Sequence, residues 1–259
     1  MTKRRASTAG VVRSTTRLVF GVRPVEELLR QGGRRVEQLL VARDARLGPM
    51  IAAAEARGVP VVRTAAAELN ALCGASHQGV AALAGAYPYR DLPDLLDLAG
   101  VPLLLLVDGV TDPQNLGAMI RSALVLGATG LVLTKDRCAG ITPTVVRVSS
   151  GATEHLPCAR VTNLARAIEQ LKAAGVWVAA TVEHGGGHPA DADLTVSLAL
   201  VLGSEQRGVR PLVLKHCDLA LTIPSRAQIA SLNVASATTA VLYEASRQRR
   251  EAAPASPAT

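Results

Sequence analysis

Aromatic side chains are nearly absent from this chain of 259 residues, which contains one tryptophan, three tyrosines and one phenylalanine. Because the sequence is nevertheless 49% hydrophobic, Val, Leu, Ile and Ala must fill the core. Proteins that bind single-stranded nucleic acids without sequence preference stack the bases on aromatic rings. The scarcity of rings therefore argues against stacking as the main way in which this chain would hold a nucleic acid.

Long apolar segments and paired cysteines are missing as well. The apolar run at 101–107 is far too short to span a membrane, and the basic N-terminus lacks the apolar core of a secretion signal. The cysteines have neither CxxC nor zinc-ligand spacing, so we expect reduced thiols; they are Cys73, Cys138, Cys158 and Cys217. These absences predict a soluble, cytoplasmic protein.

Lysine occurs only at positions 3, 135, 172 and 215, although the formal net charge is +7 and the pI is about 9.7. Arginine therefore carries most of the positive charge. A planar guanidinium donates two hydrogen bonds to one phosphate, so this composition favours a nucleic acid as partner. A GC-rich genome, which raises arginine content whatever the ligand, is the alternative explanation.

The pattern of apolar and polar residues divides the chain into two α/β blocks. Residues 17–85 predict a small α/β unit, and residues 99–250 predict apolar strands alternating with helices, which is typical of a parallel sheet covered on both faces. Residues 86–98 carry two prolines and mixed charge, and predict a linker. The basic arm 1–16 and the tail 251–259 are predicted to be disordered.

Apolar periodicity and turn residues set the predicted bounds of the elements. In the first block, helices are predicted at 24–30, 48–57 and 65–72, and strands at 36–41, 59–62 and 79–83. In the second block, strands are predicted at 103–107, 130–133, 176–180, 198–202 and 219–223. A long last helix is predicted from about Ser231 to Arg250, with Ser231 as its cap and Asn233 in its first turn.

A first segment with candidate chemistry, residues 108–123, follows the strand at 103–107. It therefore begins at the carboxyl end of a parallel strand, where α/β sheets place their ligands. Either Asp112, followed by a proline, or Asn115 is suited to cap the helix that comes next.

Gly117 and Arg121 lie four residues apart on that helix. Long helical side chains lean back over the preceding turn, so we expect Arg121 to lie above Gly117, where the missing side chain leaves room for a phosphate or a ribose. A solvated helix arginine is the alternative interpretation.

Two further segments combine a strand with a polar turn. Residues 200–208 predict a buried strand that enters a glycine-rich turn centred on Glu205. A carboxylate there would repel a phosphate, so it suits a hydroxyl donor, an arginine or a cationic cofactor. Residues 221–236 predict a strand end, a polar loop and the start of the last helix. Taken singly, each segment is also explained by ordinary turns and helix caps.

Taken together and in this order, the three segments resemble the signature motifs of the SpoU/TrmH branch of the SPOUT methyltransferases. The matches are N-x-G-x-x-x-R at 115–121, L-G-S-E-x-x-G at 202–208 and I-P…S-L-N-V at 223–234, with secondary matches at 108–109 and 151–154. The resemblance covers about residues 101–249.

The first block resembles a different part of the same enzymes. Residues 18–85, with G-V-R-P-V-E-E from Gly21 and H-Q-G-V from His77, are similar to the L30e-like substrate-binding domain of the bacterial 23S rRNA guanosine-2'-O-methyltransferase subgroup. The resemblance thus extends over most of the chain.

The resemblance implies an enzyme that transfers a methyl group from S-adenosyl-L-methionine to a ribose 2'-hydroxyl, with a guanosine of 23S rRNA as the expected target. It implies a parallel sheet with a C-terminal trefoil knot, an exception to the rule that chains are unknotted. It also implies a homodimer with its active site at the subunit interface, and no metal. Backbone groups at Gly203, Ile223 and Leu232 are implied to bind the cofactor.

Five residues are implied to form the catalytic site: Arg121, Asn115, Glu205, Ser231 and Asn233. Arg121 is the family's candidate for activating the hydroxyl, although a guanidinium that stays protonated is a poor base. Orienting a phosphate or stabilising the developing alkoxide are the other roles open to it. Asn115 and Glu205 would position Arg121 and the ribose, and Ser231 and Asn233 would complete the site.

The third segment departs from the family pattern Ile-Pro-Met-x-Gly. Ser225, Arg226 and Ala227 follow Ile-Pro here, so the loop carries an additional charge and an alanine where glycine would allow positive φ. The alternatives to the 23S rRNA enzyme are a tRNA or resistance-type rRNA 2'-O-methyltransferase and a non-catalytic RNA-binding ribosome-assembly protein. A nucleotide-binding Rossmann enzyme is disfavoured, because the sequence contains neither G-x-G-x-x-G after the strand at 103–107 nor a P-loop.

Overall fold

The computed structural model describes residues 18–98, 100–225 and 232–253. The described residues form two compact units, one comprising 18–87 with 141–143 and the other 88–140 with 144–253. The predicted arm lies outside the described residues, as do 254–259 of the predicted tail. The last helix extends to Ala252, two residues into the segment predicted as tail.

The first unit is built on a mixed four-stranded sheet. Its elements are β1 (Leu18–Phe20), α1 (Val22–Gln31), β2 (Val36–Ala42), α2 (Gly48–Ala56), β3 (Val61–Thr64), α3 (Ala66–Cys73) and β4 (Val80–Ala84). The strand order is β1-β4-β2-β3, with β4 antiparallel to both neighbours and β2 parallel to β3. The predicted helices and strands are confirmed with shifts of one or two residues at their ends, and β1 was not predicted.

Helix α1 shows why these short segments fold as they do. Val25, Leu28 and Leu29 are buried at helical spacing, so one stripe of the helix packs against the sheet while its charged residues face water. Gly32 ends the helix in a left-handed conformation, with φ of 68°, which only glycine adopts without strain.

The two motifs that carry the resemblance of the first block lie together. The backbone N–H of Val22 donates to Gln78 Oε1 at 3.0 Å. In the buried ring of His77, Nδ1 accepts a hydrogen bond from the backbone N–H of Gly79 at 2.9 Å, and Nε2 lies 2.9 Å from Asn70 Oδ1. Both nitrogens of the ring are therefore engaged in contacts within this segment. His77 therefore holds this turn in place.

The second unit is built on a parallel six-stranded sheet. Its elements are β5 (Leu103–Asp108), α4 (Pro113–Val125), β6 (Gly130–Thr134), α5 (Pro143–Val148), β7 (Cys158–Val161), α6 (Leu164–Ala173), β8 (Trp177–Thr181), β9 (Leu198–Gly203), α7 (Pro211–His216), β10 (Leu219–Leu221) and α8 (Val234–Ala252). The strand order is β10-β8-β9-β5-β6-β7, and all pairs are parallel. The predicted α/β fold class is confirmed. Strand β7 was not predicted, and β10 ends two residues earlier than expected.

Strands β5 and β9 form the centre of this sheet, and every residue in them is buried. Leu104 and Leu106 pack in one hydrophobic cluster with Ile168 and Leu171 of α6. Leu105, which points to the opposite face, is also fully buried, and α4 and α8 pack along each other. Burial on both faces explains why these strands are almost continuously apolar.

Side-chain caps set the first residues of helices α4 and α8. The carboxylate of Asp112 accepts a hydrogen bond from the backbone N–H of Gln114 at 2.9 Å, so Asp112 rather than Asn115 caps α4. Asn233 caps α8 by accepting from the N–H of Ala235 at 2.9 Å. The expected cap, Ser231, lies outside the described residues. Asn233 precedes the helix, so the prediction that it lies in the first turn was wrong by one position.

Arg249 anchors the far end of α8. Its guanidinium donates to backbone carbonyls that flank the amino ends of β5 and β9, namely those of Val101, Pro102, Leu194 and Val196, at 2.5 to 3.0 Å. Burial lowers the pKa of Arg249. The main contacts of this arginine are therefore carbonyls of neighbouring loops.

The trefoil knot implied by the resemblance stays a prediction, because residues 226–231 lie outside the described residues. Within the described ranges, no helix combines the length and apolar character needed to cross a membrane. No group of three His, Cys, Asp or Glu side chains in those ranges is arranged to hold a metal ion.

Candidate active site

A cavity of about 720 Å³ lies at the carboxyl ends of the central strands of the second unit. Its walls come from Asp108 at the end of β5 and the segment up to Asn115 that follows it, from Arg137 after β6, and from residues 204–210 after β9. Since parallel strands end at the same edge of a sheet, segments distant in sequence meet here. Two of the three segments with candidate chemistry thus line one cavity.

A buried ion pair fixes the floor of this cavity. The Asp108 side chain is fully buried and accepts hydrogen bonds from the backbone N–H of Arg210 at 2.9 Å and from its Nε at 2.7 Å, with Nη2 at 2.6 Å. The pair ties the turn after β9 to the end of β5. Arg210 was missed by the sequence analysis, although an aspartate that ends a wholly buried strand requires a cationic partner.

The glycine-rich turn after β9 closes tightly on itself. Ser204 and Gly208 exchange two backbone hydrogen bonds, at 2.8 and 3.2 Å, and Gly208 has a positive φ of 60°. A Cβ on Gly203 would overlap the backbone of Gly208 and Val209. Gly203 therefore permits the chain to pass close to itself, and the turn exposes Glu205 to solvent.

Three of the five predicted catalytic residues form one hydrogen-bonded chain, which we call the amide–carboxylate network. The side-chain amide of Asn233 donates to Asn115 Oδ1 at 3.0 Å, and the amide of Asn115 donates to Glu205 Oε1. Asn233 in turn accepts the N–H that caps α8. One residue from each of the three segments is thereby held in a fixed orientation beside the cavity.

Arg121 occupies a different position. It is exposed on α4, does not line the cavity, and makes no hydrogen bond or ion pair with another described residue. The prediction that Gly117 leaves room for a ligand is wrong. Gly117 is buried, and a Cβ there would lie 2.6 Å from Val148 Cβ and 3.1 Å from Val145 O. The missing side chain makes room for a neighbouring helix, not for a ligand.

The predicted cofactor residues have contrasting environments. Gly203 is buried, Ile223 is half-buried, and Leu232 is 54% exposed. Ser231, Arg226 and Ala227 lie outside the described residues. An exposed leucine and the peptide groups that follow β10 are of the kind that can contact an adenine ring and its polar edge; the binding of S-adenosylmethionine by these three residues stays a prediction.

A loop that the sequence analysis overlooked lies against the strand leading to Ile223. The backbone N–H of Gly187 donates to Ala220 O at 2.9 Å, and that of Gly186 donates to Thr222 Oγ1 at 2.9 Å. A Cβ on Gly186 would lie 2.8 Å from the backbone of Ala220. The run of three glycines from Gly185 was the signal for this close crossing.

Comparison with known proteins identifies the family. A sequence model of the SpoU rRNA methylase family matches residues 102–243, more than half of the chain. The chain belongs to the SpoU rRNA methylase family. A second model, described as RNA 2'-O ribose methyltransferase substrate binding, matches residues 18–90. As a family member, the chain is an S-adenosylmethionine-dependent RNA 2'-O-ribose methyltransferase with an RNA substrate-binding domain.

Characterised and structural relatives are similar over much of the chain. The 23S rRNA (guanosine-2'-O-)-methyltransferase RlmB of Escherichia coli is 42% identical over 179 residues, which are 68% of this chain and 74% of that protein. An uncharacterised tRNA/rRNA methyltransferase of Synechocystis is 48% identical over 68% of this chain, but the match spans only 47% of that protein. The SpoU methyltransferase AviRb of Streptomyces viridochromogenes, solved with S-adenosylmethionine, is 31% identical with a TM-score of 0.79 over 90% of each chain.

Proposed function

We propose that this family member methylates the ribose 2'-hydroxyl of a guanosine in 23S rRNA, in the cytoplasm and as a homodimer. The amide–carboxylate network carries the proposal, since three polar residues from separate segments are hydrogen-bonded to one another, and two of them, Asn115 and Glu205, line the cavity. Support for the substrate comes from the similarity to RlmB of Escherichia coli. Support for the tRNA alternative is weaker, because a structure concerned with methylation of C/U34 on tRNA matches only 59% of this chain.

The network is suited to hold the ribose. Glu205 accepts a hydrogen bond from Asn115 through Oε1, which leaves its second oxygen for a ribose hydroxyl. Asn115 is fixed at both ends of its amide, by Glu205 and by Asn233, so the carboxylate is held before substrate arrives. Preorganised polar groups of this kind lower the cost of reaching the transition state.

The proposal also assigns roles to Arg121, Ser231 and the three cofactor residues. Bound S-adenosylmethionine supplies a methyl group activated by the positive sulfonium. Arg121 lies outside the cavity of its own chain, so it is assigned to a site completed at the interface of the proposed homodimer. A permanently protonated guanidinium cannot accept the hydroxyl proton readily, and the role assigned to Arg121 is to stabilise the developing alkoxide or to orient the adjacent phosphate. Ser231 would join Asn233 at the ribose, and Gly203, Ile223 and Leu232 would hold the cofactor through backbone groups.

The homodimer is proposed to form on the face made by α4 and α8. Ser122 of α4 is hydrogen-bonded to Thr239 of α8 at 2.7 Å, and one turn further along each helix stand Val125, 75% exposed, and Tyr243, 55% exposed. Adjacent exposed apolar side chains favour an interface. Sedimentation equilibrium should give a dimer for the wild type and a monomer for Val125→Asp combined with Tyr243→Asp. Leu212→Asp, which changes an exposed leucine of α7, serves as the control and should remain dimeric.

Methylation of defined RNAs tests the substrate. The purified chain is incubated with methyl-labelled S-adenosylmethionine and, separately, with 23S rRNA fragments, 16S rRNA and total tRNA, and the modified nucleoside is mapped by mass spectrometry. We expect 2'-O-methylguanosine at one position of 23S rRNA. Methylation of tRNA alone would establish the tRNA alternative. Absence of transfer to every RNA, despite normal RNA binding, would support the non-catalytic alternative.

A further inference from the structure

Arg137 has a backbone conformation that most residues avoid. Its φ is 62°, and the only other non-glycine residues with positive φ in the described part of the chain are Gln78 and Ser150. A side chain in this left-handed region costs free energy that glycine does not. Strained residues of this kind concentrate where function compensates for the cost.

The loop around Arg137 is held from several directions. Thr134 Oγ1 donates to the carbonyl of Asp136 at 2.6 Å, and Arg160 Nη2 donates to the carbonyl of Lys135 at 2.9 Å. On the other side of Arg137, the N–H of Ala139 donates to Val110 O at 2.9 Å. The strained backbone is therefore fixed by its surroundings, and the position of Arg137 over the cavity is fixed with it.

The side chain of Arg137 lines the cavity and is exposed. In the described ranges it makes no hydrogen bond and no ion pair, in contrast to Arg210 on the cavity floor, which is bound to Asp108. Its five N–H donors are therefore available to a ligand. A guanidinium binds anions with two parallel oxygens best, as in a carboxylate or a phosphate diester.

The strand order separates Arg137 from the cofactor side of the site. In the order β10-β8-β9-β5-β6-β7, the proposed cofactor residue Gly203 ends β9 and Ile223 follows β10, whereas Arg137 follows β6, on the other side of β5. Adjacent strands are about 4.8 Å apart, so β6 lies roughly 10 Å from β9. The anion at Arg137 is therefore one that extends away from the cofactor, as an RNA backbone does.

We propose that Arg137 binds a backbone phosphate of the substrate RNA, beside the ribose held at the amide–carboxylate network, and so fixes the register of the strand in the cavity. The proposal rests on the proposed function of that network. It makes Arg137 a substrate-binding residue, whose loss weakens the complex with RNA more than it slows the chemical step.

The test compares Arg137→Gln with Arg166→Gln. Arg166 is exposed on α6 and outside the cavity, so both variants lose one surface charge. With a 23S rRNA fragment and labelled S-adenosylmethionine, we expect Arg137→Gln to raise KM for RNA about tenfold, in line with a lost charge-assisted hydrogen bond, and to leave kcat within about twofold. The slope of log affinity against log salt should fall by about 0.7, the value for one phosphate of a single strand. Arg137→Lys should restore the salt slope but not the full affinity.

Two results would overturn the proposal. One is a KM and salt slope for Arg137→Gln equal to those of Arg166→Gln. The other is weaker binding of S-adenosylmethionine with unchanged RNA affinity, which would mean that Arg137 holds the cofactor carboxylate. Fluorescence anisotropy with the same RNA fragment gives the salt slope without catalysis. If the wild type transfers no methyl group, the proposed function is wrong, but the anisotropy measurement still tests the contact between Arg137 and a phosphate.

Discussion

Replacing Arg210 by methionine leaves the carboxylate of Asp108 buried without its cation. The carboxylate keeps one hydrogen bond, from the backbone N–H of residue 210, and loses those from the guanidinium. Breaking a fully buried ion pair costs about 3–5 kcal/mol. Because the Arg210 side chain is 40% exposed, water can partly replace it, and we expect a loss of about 2–3 kcal/mol in the free energy of unfolding.

Urea denaturation followed by tryptophan emission measures this loss. Trp177 is the only tryptophan of the chain and lies in the same unit as the ion pair, so its signal reports the unfolding of that unit. Arg166→Met, which removes an exposed helical arginine, is the matched control and should stay within about 0.5 kcal/mol of the wild type.

A double-mutant cycle decides whether the effect belongs to the pair. Asp108→Asn removes the buried charge, so the double variant should lose less than the sum of the two single losses, with a coupling of about 1–3 kcal/mol. Strict additivity, or a loss for Arg210→Met no greater than that of the control, would refute the reasoning. Methyl transfer should also fall in Arg210→Met, because the turn that carries Glu205 is anchored by this pair.

Three further predictions concern the site and its supports. Arg121→Ala should abolish methyl transfer and leave the dissociation constant of S-adenosylmethionine nearly unchanged; wild-type turnover in this variant would contradict the catalytic assignment. Gly117→Ala should lower the free energy of unfolding by about 1–3 kcal/mol, because the added Cβ overpacks against Val148. The control Gly48→Ala, with no atom near its added Cβ, should leave it unchanged. Equal thermal midpoints for the two variants would show that Gly117 is not closely packed in solution. Burial, and secondarily a nearby carboxylate, raises the pKa of the Cys138 thiol to about 11, so its alkylation by iodoacetamide should be slow at pH 8 and accelerate about tenfold per pH unit up to pH 11; a rate that levels off near pH 8.5 would disprove the raised pKa.

Elements with a clear period or a long apolar run could be predicted from the sequence. The central strands β5 and β9 are continuous apolar runs, so their bounds were found within one residue. For helix α4 the sequence offered two candidate caps, of which Asp112 is the one used. Strands β1 and β7 contain three and four residues and show no period of their own. Such short strands form because neighbouring strands offer free hydrogen-bonding groups, which is information that the local sequence lacks.

For the candidate site as well, the sequence predicted which residues matter but not how they contact one another. Asn115, Glu205 and Asn233 were named from motifs, because each motif is local in sequence. Their contact with one another, and the pairing of Asp108 with Arg210, join residues that lie 90 to 118 positions apart. Only the strand order brings those positions to one edge of a sheet, and no local pattern encodes that order.

The sequence by itself determined the two α/β blocks, the parallel sheet and the three segments with candidate chemistry, because apolar periodicity, caps and turn residues are local properties. The tertiary structure decided that Gly117 accommodates a helix, that Asn233 is both a cap and part of the network, and that Arg137 is held in a left-handed conformation over the cavity. Each of these depends on which backbone passes within a few ångströms of another. That proximity is set by the packing of the whole unit and not by any segment alone.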